Sequence, residues 1–377
     1  MRESKSARTR GRRWGGWSLA IVAIGVVAVE LLSLGVGGIP GALAEHSPVA
    51  GSNAPVPAAG TTASTELSAA QASLSAAGPA PSAKAAPSAR VGASMTYDAK
   101  DGYVLLAGGE NFTGFLTDTW KFAGGVWTQL KTAGAPPASY NPGLVYDAKD
   151  GYVVLFSGNE TWKYVAGSWT QLTPTRSPPV VYAFAMTYDA KDGYALLFGG
   201  YNGTSYLSET WKFVGGQWSK IVAAPAPPSR AYASMAYDAA DGYVVLFGGC
   251  HTAPPCTSGY FYSDTWKFSG GSWTKLAPTT HPSGRGGYVM TFDTAAGSIL
   301  LFGGCNSTNC SKPLGDTWTF AAGSWTHLKP TTHPPGRVFA AGTYDTKDKE
   351  VLMFSGVGRT GILGDTWAFS SGNWKKA

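Results

Sequence analysis

From Arg90 to the final residue, two kinds of hydrophobic spacing alternate along the chain. Short continuous apolar runs, such as Val104-Leu105-Leu106, Val153-Val154-Leu155-Phe156 and Leu300-Leu301-Phe302, each lead into two segments in which apolar and polar residues take turns. Strict alternation predicts a strand with one buried face, and a short unbroken run predicts a strand covered on both faces. In residues 230–276, Ala233 to Tyr237 begins with small residues, Asp238 to Gly242 reads as a turn, and Tyr243 to Phe247 is the continuous run, ending at Gly248-Gly249. Thr265 to Phe268 then alternates, Gly270-Gly271 turns, and Trp273 to Leu276 alternates back. The pattern predicts four antiparallel strands, a to d.

Six copies of this unit follow one another. Each carries two tryptophans seven positions apart, with an acidic residue and a threonine before the first: Trp120/Trp127, Trp162/Trp169, Trp211/Trp218, Trp266/Trp273, Trp318/Trp325 and Trp367/Trp374. A strand-rich repeat of 42 to 55 residues predicts a radial or stacked array. The units span about 90–131, 132–173, 174–222, 223–277, 278–329 and 330–377. Strand a is rich in small residues (Gly92, Ala93, Gly143, Ala183, Ala185, Ala340 to Gly342), as crowding around a common axis requires. With a two-residue Gly-Gly turn, Phe122 falls opposite Trp127, with Trp120 on the same face. The same triad recurs in every copy, so these eighteen aromatics are expected to fill the seams between neighbouring sheets.

Gly-Gly after an apolar strand, acidic-x-Trp at the start of the next, a second Trp seven residues on and Pro-x-x-Arg leading into the following copy together resemble kelch repeats, over about three quarters of the chain. The resemblance implies an all-β fold, a six-bladed kelch-type β-propeller of four-stranded antiparallel blades. The sequence departs from the family pattern at Ser157-Gly158 and Ser355-Gly356, where Gly-Gly is lost. It departs again at Ala93, Ala233, Tyr288 and Ala340, which stand where the family usually has histidine. Every copy reads a to d, so the ring is expected to close by blade 6 packing on blade 1. The resemblance also brings in galactose-oxidase-like copper enzymes and kelch-type sialate mutarotases.

The formal charge of +6 is concentrated at the N-terminus: residues 1–16 hold six Lys/Arg and one acid, which leaves 23 basic and 22 acidic residues beyond them. With no basic stripe on the repeats, a nucleic-acid partner is set aside. Arg8, Arg10, Arg12 and Arg13 precede an apolar run from about Trp17 to Val29, and Ala42-Leu43-Ala44 fits a signal-peptidase site. The run continues through Leu31, Leu32, Leu34 and Val36, so residues 1–44 read either as a cleaved signal peptide or as a retained membrane anchor. Residues 45–89 are mostly Ala, Pro and Ser and are expected to form a disordered linker preceding the propeller at 90–377. The expected location is outside the cytoplasm, at the cell surface or secreted.

In such a compartment the four cysteines are expected to pair locally, Cys250 with Cys256 and Cys305 with Cys310. Closing loops this short contributes on the order of 2 kcal/mol in a chain-entropy account.

Alternating strand direction places the uniform a–b and c–d turns on one face and the b–c and d–a loops on the other. The Asp-x-x-Asp-Gly turns read as Asx turns rather than calcium loops. The b–c loops vary and carry Phe112, Phe115, Tyr201, Tyr206, Tyr260, Phe261 and Tyr262, which either contact a ligand or cover loop backbone. The sequons at Asn111, Asn159, Asn202, Asn306 and Asn309 fall in the same loops. Arg90, Arg230, Arg285 and Arg337 occupy equivalent positions and occur only in copies whose acid is aspartate, Asp118, Asp264, Asp316 and Asp365. They are expected to form structural ion pairs. His281 and His333 repeat each other in Thr-Thr-His-Pro loops, and no activated nucleophile or acid/base pair stands out. The expectation is a non-enzymatic scaffold, without cofactor, that recognises a protein or glycan through its loop face. A carbohydrate-active kelch enzyme is the alternative, and a structural envelope component is third.

Overall fold

The structure is a computed structural model that describes residues 86–251, 260–308 and 310–377. The expected signal or anchor, all but the last four residues of the expected linker, Cys256 and Asn309 lie outside the described residues.

Six four-stranded antiparallel sheets follow one another, each with its strands in chain order, forming a six-bladed β-propeller. In blade 4 strands a to d are Ser234–Asp238, Tyr243–Phe247, Thr265–Ser269 and Ser272–Leu276. Short extra strands decorate two b–c connections, Gly114–Phe115 in blade 1 and the hairpin Val357–Gly358 with Gly361–Ile362 in blade 6. Strands a of successive blades pack on one another, including Ala341–Asp345 of blade 6 on Val91–Asp98 of blade 1. Among the described residues no strand is exchanged between blades, and blade 6 meets blade 1 through side-chain packing and hydrogen bonds such as Trp127 to Thr366.

Strand b is covered on both faces: Val104 to Leu106, Val153 to Phe156, Leu196 to Phe198, Val244 to Phe247, Ile299 to Phe302 and Val351 to Phe354 are all essentially inaccessible. The registers pair Phe122 with Trp127, Tyr164 with Trp169, Phe213 with Trp218, Phe268 with Trp273, Phe320 with Trp325 and Phe369 with Trp374. Each second tryptophan is also wedged against the preceding blade. Trp127 lies 5.1 Å from Phe354, Trp218 4.9 Å from Phe156, Trp273 5.1 Å from Phe198, Trp325 5.1 Å from Phe247 and Trp374 5.0 Å from Phe302. In all six seams the indole N–H donates to the threonine that opens strand c of the preceding blade, for example Trp169 to Thr119 at 3.0 Å. This bond explains the threonine before each first tryptophan: it is the hydroxyl that satisfies a buried indole.

The first tryptophans divide: Trp120, Trp266 and Trp318 are buried in the seams as expected, whereas Trp162, Trp211 and Trp367 pack against the seam clusters but stay half-buried. Their N–H groups bond the carboxylate two residues earlier, as Trp211 does with Glu209 at 2.9 Å.

On the turn face the first aspartate of each turn accepts backbone N–H groups two or three residues on, as Asp238 does from Ala240 and Asp241. The copy without a second acid keeps this geometry through Asp293.

Candidate functional site at the loop face and channel mouth

Each arginine ahead of strand a joins three pieces of chain. Arg230 donates to both Asp264 oxygens at 2.6 and 3.0 Å, to the Gly248 carbonyl at 2.9 Å and to the Pro228 carbonyl at 3.0 Å. Its own carbonyl accepts from Gly200 and its N–H donates to Leu207, both in the b–c loop of the preceding blade. The Arg90–Asp118, Arg285–Asp316 and Arg337–Asp365 pairs close at 2.6 to 2.7 Å, and all four guanidiniums are inaccessible. Burial works against each aspartate's charge, but hydrogen bonds and attraction from its arginine outweigh this and hold the carboxyls below the ordinary range. The guanidiniums are therefore committed to the scaffold. Blades 2 and 3 carry Ser139 and Val181 instead, and Glu209 turns to Lys220 at 2.5 Å.

Two residues after each of these positions stand Gly92, Asn141, Ala183, Tyr232, Gly287 and Phe339, all with positive φ. The left-handed backbone turns their peptide groups around the axis. Gly92 donates to Phe339, Asn141 to Gly92, Tyr232 to Ala183, Gly287 to Tyr232 and Phe339 to Gly287. Among the described residues this belt lacks one link: no hydrogen bond joins the Ala183 N–H to the Asn141 carbonyl.

Three rings from alternate blades lie over the belt, Tyr140 from blade 2, Tyr232 from blade 4 and Phe339 from blade 6. Phe339 is 5.7 Å from Tyr140 and 5.4 Å from Tyr232. The glycines of the intervening blades make room for them, since a Cβ at Gly92 would stand 2.6 Å from the Tyr140 ring and one at Gly287 2.7 Å from Phe339. Beneath the rings a cavity of about 150 Å³ runs along the axis, lined by strand a of all six blades, with Ser94, Ser234 and Asn141 among its polar residues. The Tyr140 hydroxyl is buried and has no hydrogen-bond partner, and burial raises its pKa well above the tyrosine range. Burial also raises Tyr232, to about 12, and moves Glu110 above the ordinary carboxylate range.

The b–c loops build a wall around these rings. Bridges between each loop and the start of strand a raise it in five blades: Val91 with Glu110, Tyr182 with Tyr201, Ala231 with Cys250, Gly286 with Cys305 and Val338 with Val357. Blade 2 has no such bridge among the described residues, because its loop is reduced to Gly158-Asn159 and Gly158 pairs forward with Val181. The wall therefore has a notch at blade 2, the blade whose link to blade 3 is missing from the belt.

The expected contact residues divide. Phe112 is 85% exposed, Tyr260 60% and Phe115 38%. Tyr201 and Tyr206 pack on each other at 5.3 Å, Phe261 joins an apolar cluster with Val91, Val338 and Phe339, and Tyr262 lies over Arg230 at 4.1 Å. These four cover loop backbone. Cys305 and Cys310 form a disulfide with a Cα separation of 5.4 Å in the same cluster, and Cys250 is also disulfide-bonded. Asn159 and Asn306 are exposed, whereas Asn111 and Asn202 are half-buried in Asx turns closed by their own sequon threonines. Sequence reasoning missed Tyr140, Asn141, Tyr182, Tyr232 and Phe339. All five stand one or two places after the arginine position, in copies that replace the glycine found in blades 1 and 5.

Among the described residues no three His, Cys, Asp or Glu side chains converge, and Nδ1 of His281 and of His333 contacts the carbonyl of the next proline. No family model and no curated protein matches this chain.

Proposed function

We propose that this chain is an exported, kelch-type binding scaffold that recognises a protein or glycan through its loop face. The observation that carries the reading is the difference between the two faces. The turn face repeats the same Asx turn, whereas the loop face differs in every blade, exposes Phe112, Phe115, Tyr182 and Tyr260, and has a notched wall. Unlike loops on a repeated rigid frame suit recognition. Export is inferred from the cationic and apolar leader, and the disulfides agree with an oxidising compartment.

The test measures binding of the purified full-length chain to immobilised extracellular proteins and oligosaccharides. It compares a loop-face variant (Phe112→Ser, Phe115→Ser, Tyr260→Ser) with a turn-face variant at exposed lysines of the a–b turns (Lys100→Ser, Lys149→Ser, Lys191→Ser). A loss of about tenfold or more in the loop-face variant alone is expected. Equal losses in both variants, or binding confined to the turn face, would refute the reading.

A further inference from the structure

The notch at blade 2 and the unsatisfied groups around it point to a ligand class, an inference that rests on the loop-face reading above. We infer that the channel mouth, entered over blade 2, holds one unit of a neutral saccharide. Three observations converge there. First, the wall is absent over blade 2, so a ligand can pass between the Glu110–Phe115 hairpin of blade 1 and Tyr182 of blade 3 to reach the rings of Tyr140, Tyr232 and Phe339. Phe115 and Tyr182 are partly exposed on the two sides of this passage.

Second, this sector holds one of the buried side-chain groups without a partner, the Tyr140 hydroxyl, next to the open Asn141–Ala183 link of the belt; the Asn141 side-chain amide also makes no hydrogen bond. A buried polar group without a partner costs about 1–3 kcal/mol, so a ligand that satisfies several of them is favoured. One free N–H and one free carbonyl do not make the ladder that a docked peptide strand requires. A sugar hydroxyl donates and accepts at once, and so can serve both sides of the open link.

Third, the inner rim of this sector carries no arginine ahead of strand a. Blades 2 and 3 are the two without the arginine, and the other four guanidiniums are buried in their aspartate pairs. Glu110 of the adjoining hairpin interacts with Tyr140, and burial raises its pKa. An anionic sugar would lose its hydration with no cation to replace it, whereas a neutral ring can lay its C–H face on an aromatic face and pair its hydroxyls.

The experiment titrates the full-length chain with neutral oligosaccharides (of galactose, glucose, mannose and N-acetylglucosamine), sialylated and uronate-containing oligosaccharides, and a library of short peptides. The variants are Tyr140→Phe, which removes only the hydroxyl, and Asn141→Gly, which retains a residue suited to positive φ. The expected result is binding of neutral saccharides, weakened about tenfold by either substitution, with Tyr140→Phe melting no lower than the parent. Preference for acidic saccharides or for peptides would overturn the inference, as would no saccharide binding at all. If neutral saccharide binding is lost in the loop-face variant but unchanged in both Tyr140→Phe and Asn141→Gly, this inference falls while the loop-face reading stands. If binding survives the loop-face variant, the broader reading has failed instead.

Discussion

The hydroxyl of Ser355, after strand b of blade 6, accepts the Arg90 N–H of blade 1 at 2.8 Å, and its one proton faces the carbonyls of Arg90 and Leu363, each at 2.5 Å. The equivalent positions in blades 1, 3, 4 and 5 are Gly108, Gly199, Gly248 and Gly303, all with positive φ, and Ser355 keeps that backbone at φ 66. A side chain in this conformation costs about 1–2 kcal/mol, and here the hydroxyl at the closing seam offsets it. Ser355→Ala keeps the strained backbone and loses the bonds, while Ser355→Gly loses the bonds and relieves the strain. We expect thermal stability to fall in the order parent, Gly, Ala, with Ala lower by about 2 kcal/mol. An alanine variant as stable as the parent in denaturant titration would count against the clasp.

The indole–threonine bonds make a second prediction. Thr366→Val at the closing seam leaves Trp127 N–H buried without an acceptor, and Thr161→Val does the same to Trp218 within the chain. Each is expected to cost about 1–3 kcal/mol. Because the seams are built alike, the two losses should agree within a few tenths of a kcal/mol. A negligible loss at Thr366 beside a large one at Thr161 in urea unfolding would mean an open ring in solution.

The arginine–aspartate clamps predict both coupling and pH dependence. Arg230→Leu and Asp264→Asn each leave a buried partner unpaired and are expected to destabilise by about 3–5 kcal/mol, with the double variant well short of their sum. Asp264 has a depressed carboxyl pKa in the folded state, so its contribution is complete above the ordinary value of 3.8 and fades as pH falls through the lower folded value. The stability gap between parent and Asp264→Asn should therefore narrow only in strong acid. Additive losses, or a gap unchanged by pH, would contradict the pairing.

Asp238 carries the opposite sign. Its Oδ1 accepts two turn N–H groups, while Oδ2 is buried without a partner, and burial raises its pKa. A raised carboxyl pKa favours the neutral form in the folded chain and leaves a cost once the group ionises at higher pH. Asp238→Asn keeps the accepting oxygen and removes the charge, so it should match or exceed the parent at neutral pH by up to about 1 kcal/mol. That advantage should vanish in acid, where the parent is also neutral. Calorimetric melts at both pH values check this, and a marked loss at neutral pH would argue against it.

The framework could be read from the sequence because each blade repeats the same physical demands. Two indoles at fixed spacing, a small-residue strand a and a fully apolar strand b recur six times, and only a radial arrangement buries them all. The Arg–Asp association was readable because the two residues vary together from copy to copy. The channel mouth was hidden for the opposite reason. Tyr140, Tyr232 and Phe339 meet across the axis from alternate blades, and no single repeat contains that meeting. Their one trace is that Asn141, Ala183, Tyr232 and Phe339 hold a backbone that glycine adopts at Gly92 and Gly287. Phe112 and Tyr201 look alike as loop aromatics, yet one is exposed and the other packs on Tyr206, a difference set by loop closure and not by residue type.

Closure without strand exchange makes the starting blade arbitrary. Among the described residues the seam between blades 6 and 1 carries the same indole–threonine bond as the other five, with the Ser355 hydroxyl added. A gene rearranged to begin near Pro228, with the old ends joined, should therefore build the same wheel.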